Sequence, residues 1–514
     1  MTAQPALGRR RAWAIWIGAS PLERLERALT AAAAALAAVY VGGFLVAAYF
    51  RVTFAYPMGV SETEAVQAVR QVASGGPLYG PPTLEFAAPV YTPLYFYVSA
   101  LLGRLFGEAL PTLRLVSLLA SVGSAALLAH LVRRETYSPL AAIAAAALFV
   151  GSTHLASTAL DLARTDALSV FWLLAAIACA RVPRLTVACG VFAALAILTK
   201  QTTALVAAGL LVHVASSRDP RRIVTLGLAM LATLGLAAIS LSSIGAWPWL
   251  YLVDLPRGHD FDARFITSFW SSDILPTFGV PLALGIFFLA RRARRGDWQA
   301  VRFWTILPVS MLALAWISRV NVASSSNVVV PAYAVLAAWF GLGIGDLARL
   351  LTPSSVYRAA IPALVLVGLL MVEYNPRQGS PLRSDTWAGD RMVATIANLQ
   401  GSVYSPLYAE HVHQAGRGDD AFATSLMELM GSFGGGVRPT GIDWMALYTQ
   451  ALRERRFDEL LLDPEYPTFL VQGARDSGYV DAGPLFGDDD IINQWQSAYI
   501  QMPHVWVPRE RVSP

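Results

Sequence analysis

Long apolar runs are the feature that most constrains how this chain can fold. A run of about 17 to 25 apolar residues forms a helix long enough to cross a lipid bilayer. Such runs occur at 29–50, 113–131, 139–160, 167–180, 185–199, 202–215, 223–246, 274–290, 301–318, 328–345 and 359–373. Only 14% of the 514 residues are charged, against roughly 25% in a soluble globular chain. We therefore expect a polytopic α-helical membrane protein with about eleven transmembrane helices.

The positions of the arginines predict the orientation of these spans. Five of them precede the first run: Arg9, Arg10, Arg11, Arg24 and Arg27. Alternate connections are also rich in arginine, at 133–134, 181–184, 218–222, 291–295 and 349–358. Cytoplasmic segments carry such an excess of basic residues, which predicts a cytoplasmic N-terminus and, after an odd number of spans, an outer C-terminus. The first run is too long for a cleaved signal peptide. We expect a multi-pass protein of a bacterial inner (plasma) membrane.

Three stretches interrupt the apolar pattern, and the alternation places all of them outside. They are 51–112, 247–273 and 374–514. The last is rich in charged residues and glycine, with strand-like pieces at 401–404 and 468–471 and a helix-like piece at 444–456. This mixture predicts two domains: a transmembrane domain over 1–373 with outer interfacial helices in 51–112, and an extracytoplasmic α/β domain over 374–514. The outer domain contains no motif that indicates catalysis.

The first outer stretch contains signals for two short helices. Ser61 and Glu64 fit a capping box, in which each side chain bonds the other residue's backbone amide. A helix is expected to follow from Glu62 to about Ala73, ended by Gly75, Gly76 and Pro77. A second helix is expected over 94–106. Their apolar faces predict that both helices lie flat in the membrane interface.

Ionisable residues near membrane spans are costly and therefore indicate function. The candidates are Glu62, Glu64, Arg164, Asp166, Lys200, His259, Arg264 and Arg319. Each also has a structural explanation: a helix dipole or cap for the glutamates, an ion pair for Arg164 and Asp166, a solvated loop for His259 and Arg264, an interface anchor for Arg319. Because every candidate falls on the same predicted side, a polar outer cavity is the simplest common cause.

Lys200 is the only lysine of the chain. Every other basic position uses arginine, which serves the orientation of the spans equally well. The ammonium group is a compact point charge that suits a phosphate. The structural alternative is a lysine that extends along the span to the interface. Lys200 is thus a candidate phosphate contact.

These residues occur in an order that resembles the GT-C superfamily of membrane glycosyltransferases, close to the protein O-mannosyltransferases and the lipid A aminoarabinose transferases (glycosyltransferase family 39-like). The resemblance covers about 30–345. After the acidic motif come Gly-Gly-Pro-Leu-Tyr at 75–79, Tyr-Thr-Pro-Leu-Tyr at 91–95, Arg-Leu-Val-Ser at 114–117, Arg-Thr-Asp at 164–166 and Leu-Thr-Lys at 198–200. It implies the GT-C fold.

The resemblance also implies roles for individual residues. The acidic motif of the first loop supplies the catalytic base, which points to Glu62 with Glu64 as a second candidate; the family commonly has Asp-Glu where this chain has Ser61-Glu62. Asp166 corresponds to an acidic residue that holds a metal or substrate in some members, and Lys200 to a lysine that approaches the lipid phosphate. The loop at 259–264 corresponds to one that contacts metal and phosphate.

Three kinds of site follow from this correspondence. The catalytic candidates are Glu62, Asp166 and Glu64; the substrate-binding candidates are Lys200, Arg164, Tyr91, Arg264 and Arg319. The candidate metal ligand is His259, with Mg²⁺ or Mn²⁺ as the expected divalent ion.

The chemistry of these residues fits transfer of a hexosyl or pentosyl group from a polyprenyl-phosphate donor. A carboxylate can take a proton from an acceptor hydroxyl, and a cation or metal can stabilise the departing phosphate. Direct displacement with one base predicts inversion at the anomeric carbon. The expected partners are the lipid-linked donor, a glycan, lipid or protein acceptor, and membrane lipids; a net charge of +4 gives no reason to expect nucleic acid. The alternatives are a transporter or flippase of lipid-linked sugars and a non-catalytic assembly protein.

Overall fold

The computed structural model describes residues 20–351, 358–434, 443–486 and 503–511. In chain order its helices up to residue 370 are α1 (Pro21–Thr53), α2 (Val60–Ala73), α3 (Leu94–Phe106), α4 (Leu110–Thr136), α5 (Pro139–Gly151), α6 (Thr165–Ala180), α7 (Thr186–Thr199), α8 (Ala204–Ala215), α9 (Pro220–Ser242), α10 (Leu275–Arg294), α11 (Trp298–Val320), α12 (Val330–Leu351) and α13 (Ala360–Leu370). Between α9 and α10 the chain forms single helical turns, including π-helical turns at Leu250–Asp254 and Phe269–Ile274.

Within the described residues, seven helices, some extended by flanking turns, are long and apolar enough to cross a membrane. They are α1, α4, α5, α9, α10, α11 and α12. Five shorter apolar helices are α3, α6, α7, α8 and α13. Every predicted span thus coincides with an apolar helix, and the polytopic helical fold is confirmed. The count of eleven membrane crossings stays a prediction because four of those helices are short.

Helix α12 occupies the centre of the bundle. Its most apolar window is entirely buried, and it packs against α4, α5, α10 and α11. Helix α9 is the opposite case, since only 11% of its apolar window is buried and leucines cover its outer side. Lipid is an apolar solvent, so a helix that faces it can expose leucine. The sequences of α9 and α12 are therefore similarly apolar, although α9 is peripheral and α12 is central.

Glycines allow α12 to approach its neighbours closely. A Cβ atom added at Gly343 would lie 2.6 Å from the carbonyl oxygen of Leu284 in α10, and one at Gly341 would lie 2.7 Å from that of Ala141 in α5. Backbone atoms cannot move away as a flexible side chain can. The small residues are therefore required by the packing of α12.

We expect Gly343→Ala to destabilise the protein by about 1–3 kcal/mol because the added methyl group overpacks the contact with α10. The measurement is the thermal unfolding midpoint of the purified protein in detergent. Gly227→Ala in the peripheral helix α9 is the matched control, since a Cβ atom there meets nothing within 4 Å. Equal midpoints for the two variants would contradict the close packing of α12.

Arginines from alternate connections meet at one end of the bundle. Arg292 contacts Asp346 at 3.3 Å and Glu135 at 3.8 Å, and Arg181 pairs with the same Glu135. Asp346 is fully buried. The connections that the arginine pattern assigns to one side therefore lie together. That this side is the cytoplasmic one stays a prediction, and we call the opposite end the outer end.

The two predicted helices of the first outer stretch are present as α2 and α3. In α3, Tyr97, Leu101, Leu105 and Phe106 are exposed on one side and Phe96 is buried on the other. The predicted capping box is wrong: Gly59 is the cap residue of α2, and no side chain bonds the free amides there. Glu64 lies in the second turn of α2 and its carboxylate contacts another part of the chain. The placement of both helices in the membrane interface stays a prediction.

The outer domain combines helices with a small mixed sheet. Its helices are α14 (Arg383–Ala397), α15 (Ala409–Gln414), α16 (Ala423–Leu429), α17 (Trp444–Arg453) and α18 (Thr468–Asp476), and its strands are β1 (Val403–Tyr404), β2 (Glu459–Leu462), β3 (Tyr479–Pro484) and β4 (His504–Pro508). The sheet order is β1-β2-β4-β3, with β1 parallel to β2 and the other pairs antiparallel. The predicted α/β domain is confirmed.

One predicted strand of this domain is wrong. Residues 468–471 begin the helix α18, although threonine, phenylalanine and valine favour strands. Leu470, Val471 and Ala474 are buried together, which is the spacing of a helix face. Tertiary packing of this face outweighs the local preference. The division of the chain at 373 stays a prediction.

Candidate functional site

A cavity of about 640 Å³ lies at the outer end of the bundle. Its wall combines the start of α2, the start of α6, the end of α7, the loop before α10, the loop after α11 and the outer domain. The predicted site residues in this wall are Glu64, Tyr91, Arg164, Asp166, Lys200 and His259. Six side chains from separate parts of the sequence thus share one cavity. A cavity at this end was expected because the polar candidates fall on one predicted side of the membrane.

Lys200 and Asp166 form an ion pair in the cavity wall. The Lys200 Nζ atom lies 2.6 Å from Asp166 Oδ1, and the second carboxylate oxygen accepts a hydrogen bond from Asn327 Nδ2 at 2.8 Å. Asp166 belongs to the first turn of α6, where the helix dipole favours a carboxylate. The charge of the only lysine is therefore largely balanced within the protein.

Arg164 differs from Lys200 because it has no such balance. Its guanidinium makes no hydrogen bond or ion pair with residues 20–351, 358–434, 443–486 or 503–511, and its Nε atom is buried. It packs closely on Gly59, since a Cβ atom there would meet the guanidinium at 2.9 Å. The side chain as a whole is partly exposed, and its buried Nε donor requires an anion or water as acceptor. Arg164 is the side chain of this cavity best placed to bind a phosphate.

Glu64 is a carboxylate with a strongly altered environment. Its Oε1 atom accepts a hydrogen bond from Ser425 Oγ of the outer domain at 2.9 Å. Burial raises the pKa of Glu64 to about 7, the hydrogen bond from Ser425 opposes that increase, and the nearby carboxylate of Glu428 adds to it. A carboxylate with this pKa can both accept and return a proton near neutral pH.

His259 connects the second outer loop to the outer domain. Its Nε2 atom lies 2.6 Å from Glu428 Oε2. Burial acts to lower the pKa of His259, but the hydrogen bond and charge of Glu428 outweigh it and the pKa lies above its usual value. Among the residues that the structure describes, no three His, Cys, Asp or Glu side chains are grouped to hold a metal. The expected Mg²⁺ or Mn²⁺ ion stays a prediction.

Glu62 does not line the cavity, contrary to expectation. Both of its oxygens accept hydrogen bonds from Arg114, at 2.8 and 2.6 Å, and one further bond each from the amides of Met58 and Ala163. Burial acts to raise the pKa of Glu62, but Arg114 and these amides hold it below its usual value. A carboxylate whose oxygens are all occupied is poorly suited to accept a proton.

The other hydrogen bonds of Arg114 explain why its ion pair with Glu62 is buried. The same guanidinium donates to the backbone carbonyls of Arg51, Phe54 and Tyr56. It thereby joins the end of α1 and the start of α2 to α4. Glu62 supplies the negative charge that makes a buried Arg114 tolerable.

Two further predicted residues lie outside the cavity. Arg264 is largely exposed and pairs with Asp262 of its own loop at 2.6 Å. Arg319 pairs with Asp273 at 3.0 Å and its guanidinium covers the ring of Phe265. Each side chain is satisfied locally, and their predicted roles in binding substrate remain predictions.

The outer domain contributes to the site, and no pattern in its sequence predicted this contribution. Glu428 of α16 lines the cavity and Ser425 of the same helix bonds the cavity residue Glu64, and no motif marked them. The available signal was their position: together with Thr424 they are the polar residues of the otherwise apolar segment 421–430. The same reasoning that singled out polar residues near membrane spans applies to them.

Residues 89–247 match the family model of dolichyl-phosphate-mannose-protein mannosyltransferases. The matched region contains Tyr91, Arg164, Asp166 and Lys200 but ends before His259. No curated protein matches the sequence of the chain.

Comparison with solved structures finds the same fold in ArnT from Cupriavidus metallidurans. The apo crystal structure superposes with a TM-score of 0.57 at 15% sequence identity, covering 95% of this chain and 100% of ArnT. ArnT bound to undecaprenyl phosphate gives a TM-score of 0.57 at 14% identity, covering 93% and 98%. The coverage includes the outer domain as well as the membrane helices.

Proposed function

We propose that this chain, which has the GT-C fold of membrane glycosyltransferases, transfers a sugar from a polyprenyl-phosphate donor to a hydroxyl group of an acceptor at the outer end of its helices. The observation that carries the proposal is that one cavity holds Arg164, whose guanidinium has no ion pair among the described residues, and Glu64, a carboxylate with a pKa near neutrality. A donor phosphate and an acceptor hydroxyl need these two groups in the same space.

The reaction assigns the proton and the charge to different residues. Glu64 accepts the proton of the acceptor hydroxyl while the acceptor oxygen forms a bond to the anomeric carbon. The bond between that carbon and the phosphate oxygen breaks, and the polyprenyl phosphate leaves with the electron pair. Arg164 stabilises the added negative charge on the phosphate. A single displacement of this kind inverts the anomeric configuration.

Lys200 and Asp166 have a supporting part in this scheme. Their ion pair is nearly neutral as a unit, and Asn327 fixes its carboxylate. An approaching phosphate competes with Asp166 for the ammonium group, so Lys200 can bind donor by exchanging one anion for another. The ring of Tyr91 lies 5.7 Å from the Lys200 Nζ atom and bounds the space for that exchange.

The test is sugar release from a panel of radiolabelled polyprenyl-phosphate sugars by the purified protein in lipid nanodiscs. We expect transfer or donor hydrolysis with at least one donor and an inverted product. A product with retained configuration would contradict direct displacement. Binding of donors without consumption, combined with their movement across vesicles, would favour the flippase.

We expect Arg164→Gln to weaken donor binding by about 10- to 100-fold, because one charge-assisted contact to phosphate contributes roughly 1.5–3 kcal/mol. The measurement is the Kd of the donor in nanodiscs. Arg456→Gln is the matched control and is expected to leave the Kd unchanged, since Arg456 is exposed and paired with Glu85 away from the cavity. Equal losses in both variants would assign the effect to general electrostatics instead of the cavity.

A further inference from the structure

The outer domain contacts helix α2 along one stripe. Ser425 bonds Glu64 at 2.9 Å, the carbonyl of Asp420 accepts from Gln67 Nε2 at 2.6 Å, and Glu410 pairs with Arg70 at 2.7 Å. Residues 64, 67 and 70 are three positions apart and lie on one helix face. Glu64, which makes the first contact of this stripe, also lines the cavity.

Helix α16 contributes Glu428 to the cavity wall, and its Ser425 bonds Glu64 of the same wall. Ser425 and Glu428 are one turn apart and both buried, with 1% and 7% exposure. Ser425 contacts Glu64 of the first outer stretch, whereas Glu428 contacts His259 of the second outer loop. The backbone amide of Asp260 also donates to the carbonyl of Phe433 at 2.9 Å. The outer domain is therefore held against both loops of the membrane part at the cavity itself.

We propose that the outer domain is part of the active site, with Ser425 as a positioning residue that orients the Glu64 carboxylate and Glu428 as a second carboxylate in the same cavity wall. This inference rests on the proposed function in so far as Glu64 is the base. The geometry gives the outer domain a chemical task that folding or shielding alone would not require.

The two residues act in opposite directions. The Ser425 hydroxyl donates to the ionised carboxylate and so stabilises it, which lowers the pKa of Glu64; the negative charge of Glu428 destabilises it, which raises that pKa. Other titratable or charged groups face the same cavity: Tyr91, Arg164, Asp166, Lys200, His259 and Tyr466. The charges of Asp166 and Lys200 compensate one another, and the Glu428 carboxylate also contacts His259. Ser425 makes the direct contact and gives the cleaner test.

A base must be ionised to act, so the transfer rate is expected to rise with pH through about 7, the pKa of Glu64. This rise is the ascending limb of the pH–rate profile. Removing the hydroxyl in Ser425→Ala should move this limb to higher pH by roughly one unit. Removing the negative charge in Glu428→Gln should move it to lower pH. Ser425→Thr keeps a hydroxyl and should leave the limb in place.

A second measurement does not depend on turnover. Infrared titration follows the carbonyl band of the protonated Glu64 carboxyl group, assigned by its loss in Glu64→Gln. The midpoint of this band is expected to move in the same directions as the rate limb. If the band titrates as expected but no donor is consumed, the proposed function fails while the positioning role stands.

Gln67→Ala is the control for general docking. It removes a hydrogen bond between α2 and the outer domain without altering the contacts of the Glu64 carboxylate, so neither the band nor the limb should move. An equal shift in Gln67→Ala and Ser425→Ala would overturn the inference. Unchanged midpoints in both Ser425→Ala and Glu428→Gln would overturn it as well.

Discussion

Glu64→Gln is expected to lower the rate of sugar transfer by about 100- to 10,000-fold, the range that loss of a general base produces. The substitution keeps the size and the hydrogen-bonding shape of the side chain but removes its capacity to take a proton. Because Glu64 binds the acceptor proton and not the donor phosphate, the Kd of the donor should change little. The measurement is single-turnover transfer in nanodiscs, with donor binding determined on the same preparations.

Glu85→Gln is the matched control for this substitution. Glu85 belongs to the same outer stretch, but its side chain is 47% exposed and pairs with Arg456 away from the cavity. We expect wild-type transfer rates. Full activity of Glu64→Gln would remove Glu64 from the mechanism.

A relocated carboxylate gives a further check on the same point. Ser61 lines the cavity one turn before Glu64, and its buried Oγ atom has no hydrogen-bond partner in the described part of the chain. Aspartate at position 61 can therefore point into the same space. We expect the double variant Ser61→Asp/Glu64→Gln to recover part of the rate that Glu64→Gln alone loses. Recovery would show that the cavity needs a carboxylate, whichever turn of α2 supplies it.

Glu62→Gln is expected to destabilise the folded protein by about 3–5 kcal/mol, because it leaves the buried Arg114 guanidinium without its counter-charge. Both side chains are fully buried, so water cannot replace the lost partner. The measurements are the thermal unfolding midpoint in detergent and the yield of folded protein. Any loss of transfer should follow the loss of folded protein.

Asp262→Asn is the control for this prediction, since its ion pair with Arg264 is exposed and its loss should not alter the midpoint. The double variant Glu62→Gln/Arg114→Met should recover part of the lost stability, because it no longer buries an unpaired charge. A stable Glu62→Gln protein that binds donor but does not transfer sugar would restore Glu62 to the chemistry.

The contrast between Glu62 and Glu64 shows where prediction from the sequence ended. The two residues share one helix and one motif, and the sequence favoured Glu62 because Glu64 already had a structural explanation as a capping residue. That explanation was wrong, since α2 begins at Val60 and Gly59 is its cap. Residues two positions apart point to different sides of a helix, so one faces Arg114 and the other faces the cavity.

Ser425 and Glu428 show a second limit. They lie more than 350 residues after Glu64 in the sequence, in a domain without a recognisable motif. Only the docking of that domain on α2 brings Ser425 to Glu64 and Glu428 to the cavity. Contacts between distant segments depend on how complete surfaces fit, and local patterns do not encode that fit.

The sequence by itself determined the membrane class, the positions of the helices, the side of the bundle that holds the polar residues and the resemblance to the GT-C superfamily. These properties depend on local quantities: the length of an apolar run, the sign of a flanking charge, the order of short motifs. The tertiary structure alone decided which polar residues meet. It buried Glu62 against Arg114, paired Lys200 with Asp166, gave Arg164 no counter-charge among the described residues and brought the outer domain to Glu64. The energy of a charge depends on its nearest neighbours in space, and those neighbours come from distant parts of the chain.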